Sequence, residues 1–414
     1  MKIVVYTLGC KVNQYESEGL MFSLKSLGNE VFSEIVPADV YILNSCAVTN
    51  EAEKKSRQTI AKFKACNPNA KIYVCGCASQ KNSKQFNDID GVVYVKGTAN
   101  KLSLIDDFNK TGVDIDDLPI TYNEEFKVEP TKTRAYIKIQ DGCNNFCSYC
   151  VIPYLRGRSR SRDLMSILKE VDELSKYVKE IVITGIDITD YKIDGERAFS
   201  KLIEMLEPYK NIRFRLGSLE QGLIDENFIN AMKNSNICPH FHLSLQSGSD
   251  TVLKRMNRKY TTKQYLKSIK LINKNFKNPS ITTDVIVGFP QETNKEFEET
   301  LRFVKKAGFY NIHIFPYSKR SGTLAEKMPQ VDGNIKKERV KKLSLINEKL
   351  NEKFIKKAKR FHHQILVEEF DGEYYIGYTE NYIKCYINEK SEINEFVNVK
   401  IKQKFKDGAL AIKI

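Results

Sequence analysis

Gly142-Cys143-Asn144-Asn145-Phe146-Cys147-Ser148-Tyr149-Cys150 is the densest chemical signal in this chain of 414 residues. It sets three cysteines at Cys-x3-Cys-x2-Cys spacing, on a loop that follows a β-type run at residues 135–140. Iron–sulfur clusters are held by cysteine thiolates. Three thiolates this close each take one iron of a cubane [4Fe–4S] cluster and leave the fourth iron open to a small molecule. A zinc site and chance clustering are the alternatives. Zinc sites gather four ligands, in paired Cys or Cys/His sets, and no fourth ligand lies near this loop. The spacing points to an iron–sulfur centre with one open position.

Outward from the loop, the central segment repeats one pattern. Six β-type runs (135–140, 180–184, 212–216, 240–245, 281–287 and 310–315) alternate with amphipathic helical stretches such as 163–177, 198–206, 262–275 and 294–307. Repeated βα units that close on themselves predict a partial TIM-type (β/α)6 barrel over 135–330, whose chemistry sits at the carboxyl ends of the strands. The cysteine loop follows the first strand, in keeping with that rule. Other strand ends supply Gly185, Glu220, Ser244, Gln246 and the Gly288-Phe289-Pro290 turn. Gly185 lets backbone approach a ligand. Glu220 can accept hydrogen bonds from ribose hydroxyls, and Ser244 and Gln246 can donate and accept. Each alone is also consistent with packing or capping. Asp284 stands mid-strand in an apolar run, as a functional lumen carboxylate or a satisfied core acid; the first is preferred.

Arg156, Arg158, Arg160 and Arg162 follow the cysteine loop closely. Guanidinium binds phosphate bidentately, so all four are candidates for RNA contact; internal pairing with barrel carboxylates is the equal alternative. His240, His242, His313, His362 and His363 show no ligand spacing and are expected in core or surface roles.

Residues 1–118 read as a separate α/β unit. Buried-strand runs at 3–8, 39–43 and 71–74 alternate with helical patterns at 16–27 and 51–65, which predicts a doubly wound parallel sheet. Each run leads into a cysteine: Cys10, Cys46 and Cys77. Ligands of open α/β sheets bind at the carboxyl ends of the strands, so these three converge although they are far apart in sequence. The functional reading is a second three-cysteine [4Fe–4S] cluster with an open iron; three unrelated buried cysteines are the alternative. Cys77 is read as the ligand and Cys75 as packing, and Cys66, Cys238 and Cys385 have no partner pattern. The polar stretch 107–134, with Pro119 and Pro130, shows little periodicity, and its part from 119 reads as a linker.

Beyond residue 330, Val340, Leu343, Ile346, Leu350 and Phe354 recur at helical spacing opposite a basic face, giving a basic amphipathic helix over 331–360. Short alternating runs at 364–369, 374–378, 382–386, 396–402 and 409–414 predict a small OB-like barrel over 361–414, a fold often used on oligonucleotides. The formal charge of +14 is uneven: residues 131–334 carry +10 and 335–360 carry +8, while 1–130 and 361–414 carry −2 each. That distribution suits a polyanion such as RNA, although the terminal barrel must then grip through aromatics and local lysines. Ten cysteines are too sparse for a disulfide scaffold and suggest metal in a reducing compartment. No signal-type or membrane-spanning run is present, and a cytoplasmic protein is expected.

Four passages carry a family resemblance: Thr7-Leu8-Gly9-Cys10-Lys11-Val12-Asn13-Gln14-Tyr15-Glu16-Ser17, Asn44-Ser45-Cys46, Gly76-Cys77-Ala78-Ser79-Gln80, and the central loop with aromatic Tyr149 before Cys150. Together they resemble the radical S-adenosylmethionine (SAM) methylthiotransferases over essentially the whole chain. Gly-Cys-Lys-Val-Asn-Gln-Tyr-Glu is similar to the wording of the MtaB type, which acts on N6-threonylcarbamoyladenosine next to the tRNA anticodon. The resemblance implies an N-terminal cluster domain, a radical-SAM core and a C-terminal TRAM domain, the last also marked by Gly377-Tyr378-Thr379-Glu380-Asn381-Tyr382. It implies two [4Fe–4S] clusters. The one on Cys143, Cys147 and Cys150 would cleave SAM to a radical, and the one on Cys10, Cys46 and Cys77 would supply sulfur. Tyr149 and the strand ends would hold SAM. Implied partners are the tRNA anticodon arm, an electron donor such as flavodoxin or ferredoxin, and a sulfur source. The alternatives are the same chemistry on isopentenyladenosine or on a ribosomal-protein aspartate, or a non-catalytic iron–sulfur or zinc protein that binds RNA. Asp187, Gly217, Gln221 and Gln291 depart from the usual wording.

Overall fold

Three apolar runs that end in cysteine form the centre of the N-terminal sheet: β1 (Lys2–Thr7), β3 (Val40–Ser45) and β4 (Lys71–Gly76). The structure, a computed structural model, describes every residue except Glu125, Thr131 and Lys132, all three within the expected linker. Three strands absent from the sequence reading complete the sheet: β2 (Glu30–Phe32), β5 (Val92–Lys96) and β6 (Gly112–Asp114). The order is β2-β1-β3-β4-β5-β6, all parallel. The polar stretch read as structureless therefore contributes a strand. Its hold is electrostatic, since Asp114 lies 2.8 Å from the buried amine of Lys96. Helices α1 (Lys11–Ser26), α2 (Asn50–Cys66), α3 (Cys77–Lys81) and α4 (Ser83–Asn87) flank the sheet. Cys75 packs with Ile3 and Val5 on one side; the strand ends at Gly76, at φ +103°, and Cys77, the first residue of α3, packs with Val4 and Leu43 on the other.

The central segment is an open barrel. Its two sheets run β12-β9-β7-β8 and β13-β14-β15-β16, with β7 (Arg134–Asp141), β8 (Arg160–Ser161), β9 (Glu180–Gly185), β12 (Arg213–Leu216), β13 (Ser218–Leu219), β14 (His240–Leu243), β15 (Ser280–Val287) and β16 (Asn311–Pro316). A hairpin, β10 (Lys192–Ile193) with β11 (Glu196–Arg197), stands apart. The chain passes from β12 through Gly217 into β13, so one strand serves both sheets. The six expected runs are thus sequential parallel neighbours, with α5 (Ile152–Arg156), α6 (Leu164–Leu174), α7 (Phe199–Met205), α8 (Glu226–Asn234), α9 (Asp250–Arg255), α10 (Thr262–Asn275) and α11 (Asn294–Ala307) between them. Ala135, Ile137 and Ile139 of β7 join the core under the helices. Lys138 and Gln140 therefore face the concave side, where α1 of the N-terminal unit packs through Glu16.

Helix α12 (Gly333–Ala358) spans 26 residues. Leu343 is part of the barrel core, whereas Ile355 and Ala358 belong to the C-terminal core. The C-terminal unit is a closed barrel, β17-β18-β19-β21-β20, built from β17 (His362–Phe370), β18 (Tyr375–Thr379), β19 (Lys384–Ile387), β20 (Phe396–Phe405) and β21 (Gly408–Lys413). It docks at the amino ends of the central strands. Arg213 donates to the carbonyls of Gln364 (3.2 Å) and Tyr378 (3.1 Å), and Arg215 to those of Thr379 (2.7 Å) and Glu380 (3.0 Å). Buried Glu180 accepts from both guanidinium groups, at 2.7 and 2.9 Å. Among the described residues, no helix is long and apolar enough to cross a membrane.

Burial alone would raise the Glu180 carboxyl, but Arg215, Arg213 and Arg134 hold it at about 2 against an ordinary 4.5. A depressed pKa contributes stability above the ordinary value that is lost as pH falls through the native one. Hydrogen-exchange protection of residues 362–413 should therefore fall between about pH 4.5 and pH 2. Glu180→Gln should flatten that response and lower protection at neutral pH.

Candidate active site

The central loop is shaped by a backbone that only glycine tolerates. Gly142 has φ +71°, and a Cβ there would lie 2.0 Å from the carbonyl oxygen of Arg158. The loop is pinned from outside: Ser148 Oγ donates to the Arg255 carbonyl (2.8 Å), and Asn257 Nδ2 to that of Phe146 (2.9 Å). Cys143, Cys147 and Cys150 are all half-buried. Arg258 donates to Cys147 Sγ at 3.3 Å. Its other nitrogen pairs with Glu220 and reaches the Ser244 carbonyl at 3.4 Å, so Glu220 and Ser244 meet the loop through this arginine. Burial pushes the Cys143 and Cys150 thiols up to about 12. Three cysteines gathered on one loop suit a cubane cluster, which is held by cysteine sulfur.

The other three cysteines meet at the carboxyl edge of the N-terminal sheet. Cys10 precedes α1 and is exposed; Cys46 follows β3 and Cys77 opens α3, both buried. Gly9, at φ +112°, lets Cys46 approach, since a Cβ would sit 2.9 Å from the Cys46 Cβ. Burial pushes the Cys46 thiol up to about 11, and nearby Cys77 and Cys10 raise it further. Cys77 is likewise raised by burial and then by Cys10. Cys150 in turn lies near enough to feel Cys77. The two sets of three thiols are neighbours.

Beside Cys150 opens a cleft of about 260 Å³, with Val48 and Thr49 of the N-terminal unit in its wall. Tyr149, Cys150, Gln246 and Asp284 line it, with Ile286, Phe315, Tyr317 and Arg320. Among the described residues, buried Nη2 of Arg320 has no hydrogen-bond partner. An orphaned guanidinium nitrogen beside aromatic rings fits a small molecule with a carboxylate and a planar group, as SAM has. Asp284 also borders a second space of about 460 Å³ on the concave face, lined by Lys11, His242, Thr282, His313, Tyr378 and Tyr382 among others.

Comparison with known proteins follows this geometry. Residues 137–304 match the radical SAM superfamily, and residues 2–97 match the uncharacterized protein family UPF0004. The chain is 39% identical to the threonylcarbamoyladenosine tRNA methylthiotransferase MtaB of Bacillus subtilis, over 96% of this chain and 93% of that protein. The chain belongs to the radical-SAM methylthiotransferases. It is also 35% identical to the tRNA-2-methylthio-N(6)-dimethylallyladenosine synthase of Thermoanaerobacter sp., over 96% of this chain and 89% of that one. Among solved structures it is similar to the radical SAM methyltransferase TsrM of Kitasatospora setae, with TM-score 0.57 and 13% identity, covering 78% of this chain and 77% of that chain. That likeness is one of fold.

In this methylthiotransferase three of the four candidate RNA-binding arginines are corrected by their burial. Arg156 is enclosed and donates to Glu16 (2.8 Å), Asp141 (3.0 Å) and Asn13 (2.7 Å). Arg160 pairs with Asp141 at 3.1 Å, and Arg162 with Glu170. None can reach a phosphate. Arg158 alone is exposed, over the Phe146 ring at 4.3 Å. Gly185 is corrected in role: a Cβ there would meet Ile188 at 2.8 Å and the Gln140 carbonyl at 2.9 Å, so its bare face serves packing, not a ligand. The histidine expectation is corrected as well. His242 and His313 bond to Asp284 at 3.1 and 3.2 Å, from three different strands. Asp284 is held as a carboxylate by these bonds, against the upward push of burial. Asp284 was singled out in the sequence; Arg258, Arg320, Lys11 and the pairing of His242 and His313 with Asp284 were not, because no short spacing marks them.

Glu16 joins the two units. Its buried carboxylate accepts from Lys138 (2.9 Å) and Arg156 and pairs with Lys101. Asp141 and Glu124 complete a set of three carboxylates with Lys101, Lys138, Arg156 and Arg160. Burial alone would raise the Glu16 carboxyl; Arg156, Lys101 and Lys138 hold it well below the usual range. Glu16→Ala leaves buried cations unpaired, which costs about 3 kcal/mol or more. Urea unfolding should show that loss, and an unchanged midpoint would rule this role out.

Proposed function

We propose that this chain inserts a methylthio group at C2 of N6-threonylcarbamoyladenosine beside the tRNA anticodon. The observation that carries the reading is the nearness of the two three-thiol sets, with Cys150 in the wall of a cleft that Val48 and Thr49 of the N-terminal unit also line, in a chain whose relative of 39% identity bears that activity in its name. Cys143, Cys147 and Cys150 would hold one [4Fe–4S] cluster and Cys10, Cys46 and Cys77 a second. With SAM, these groups supply the radical and sulfur chemistry that an unactivated aromatic carbon demands and side chains lack.

The chain's own residues do the positioning. Arg258, donating to Cys147 Sγ, orients it as a ligand. Arg320 and Gln246 offer donors to the polar end of SAM, while Tyr149, Phe315 and Tyr317 exclude water from it. The concave face leaves room for a base splayed out of the anticodon loop. Arg158 and the lysines of α12 are the exposed cations for phosphate contact. An electron donor such as flavodoxin or ferredoxin and an external source of sulfur complete the requirements. The same chemistry on dimethylallyladenosine is the second reading, favoured by the 35% identity to that relative.

Nucleoside mass spectrometry on bulk tRNA tests this. A host lacking the modification should convert threonylcarbamoyladenosine to its 2-methylthio form when given this gene; conversion of dimethylallyladenosine instead would replace the substrate assignment. Replacing Cys143, Cys147 and Cys150 together with Ala should abolish SAM cleavage and halve bound iron. Replacing Cys10, Cys46 and Cys77 should leave SAM cleavage intact while the methylthio product disappears.

A further inference from the structure

The space of about 460 Å³ beside Asp284 has one feature that its own residues do not satisfy. Lys11 is exposed into it, and among the described residues its amine has no hydrogen-bond or ion-pair partner. The cations Arg134 and Arg215 lie close by, but each is committed: Arg134 to Glu180 and Glu368, Arg215 to Glu180 and to backbone carbonyls. Lys384, also in the lining, pairs with Asp407 at 3.1 Å. Tyr378 and Tyr382, stacked at 4.8 Å, form an aromatic wall, with His240 stacked on Tyr382 at 4.6 Å. Opposite stand His242 and His313, steadied by Asp284, with Thr282 Oγ1 bonded to His242 Nδ1 at 2.9 Å. The chamber is polar and partly open, shares Asp284 with the catalytic cleft, and holds one cation without a paired anion.

We propose that this chamber receives the N6 substituent of the target adenosine, with Lys11 taking the threonyl carboxylate and the His242–Asp284–His313 set facing its urea and hydroxyl groups. The inference rests on the substrate reading above. It supplies the reason for choosing an anionic substituent over an aliphatic one. A dimethylallyl group placed there would bury an unpaired ammonium and several polar groups with nothing returned. Sites built to hydrogen-bond a substrate reject analogues lacking the group far more strongly than apolar pockets reject a surplus one.

The test uses anticodon stem-loop RNAs that carry the threonylcarbamoyl group as free acid or as its methyl ester, which adds one methyl group and removes the charge. Binding by fluorescence anisotropy and kcat/KM for methylthio product are measured on the reconstituted full chain. The wild type should prefer acid over ester by about tenfold or more, as expected for a lost charge-assisted contact. Lys11→Met should erase that preference. His313→Phe, remote in sequence from every cysteine, should weaken acid and ester alike relative to unmodified RNA. Equal use of acid and ester by the wild type, with both converted, overturns the chamber assignment and leaves the substrate reading standing. Failure of the wild type to convert either RNA, with dimethylallyl RNA converted, overturns both. A preference that survives in Lys11→Met, with wild-type iron content, also overturns the role of Lys11.

Discussion

A buried carboxylate on α1, Glu16, decides how the two halves of the catalytic centre meet. Lys101 comes from its own unit, and Lys138 and Arg156 come from the central barrel. Each of these charges costs several kcal/mol to strip of water, and only close mutual contact offsets the loss. The set is therefore stable in one arrangement and poor in any displaced one. That property suits an interface that must hold two thiol sets in register. Glu16 lies six residues from Cys10, and Arg156 lies six residues from Cys150, so the ion pair and the thiols are short, stiff extensions of the same backbone.

The placement of α1 has a second effect. It fills the β7 side of the concave face, so the barrel has no wide lumen; what stays open is the half bordered by β14, β15 and β16. The cleft near Tyr149 and the chamber near Lys11 are two parts of that remainder, separated only by Asp284. A partial barrel plugged by a neighbouring unit keeps an opening with Cys150 at the cleft and hydrogen-bonding groups in the chamber.

Much of this was legible in the residues because the signals were local. Cys143, Cys147 and Cys150 lie within one loop, and Cys10, Cys46 and Cys77 each end an apolar strand, a position that topology turns into proximity. The six βα units stood out by their periodicity. Strands β2 and β6 did not, being three residues each and held by neighbours and by the Lys96–Asp114 pair. The arginine run after the cysteine loop looked like a phosphate grip. Whether a guanidinium meets solvent or a carboxylate depends on what packs over it, and Glu16, Asp141 and Glu170 lie elsewhere in the chain. The His242–Asp284–His313 set comes from three strands, and no spacing in the sequence announces it.

Helix α12 sinks Leu343 into one core and Ile355 into another. At 1.5 Å per residue, its 26 residues make a strut of roughly 39 Å. A strut clamped at both ends fixes the span between the C-terminal barrel and the central one. The protein then works as a gauge, and the bending needed to bring a base into the opening falls on the nucleic acid.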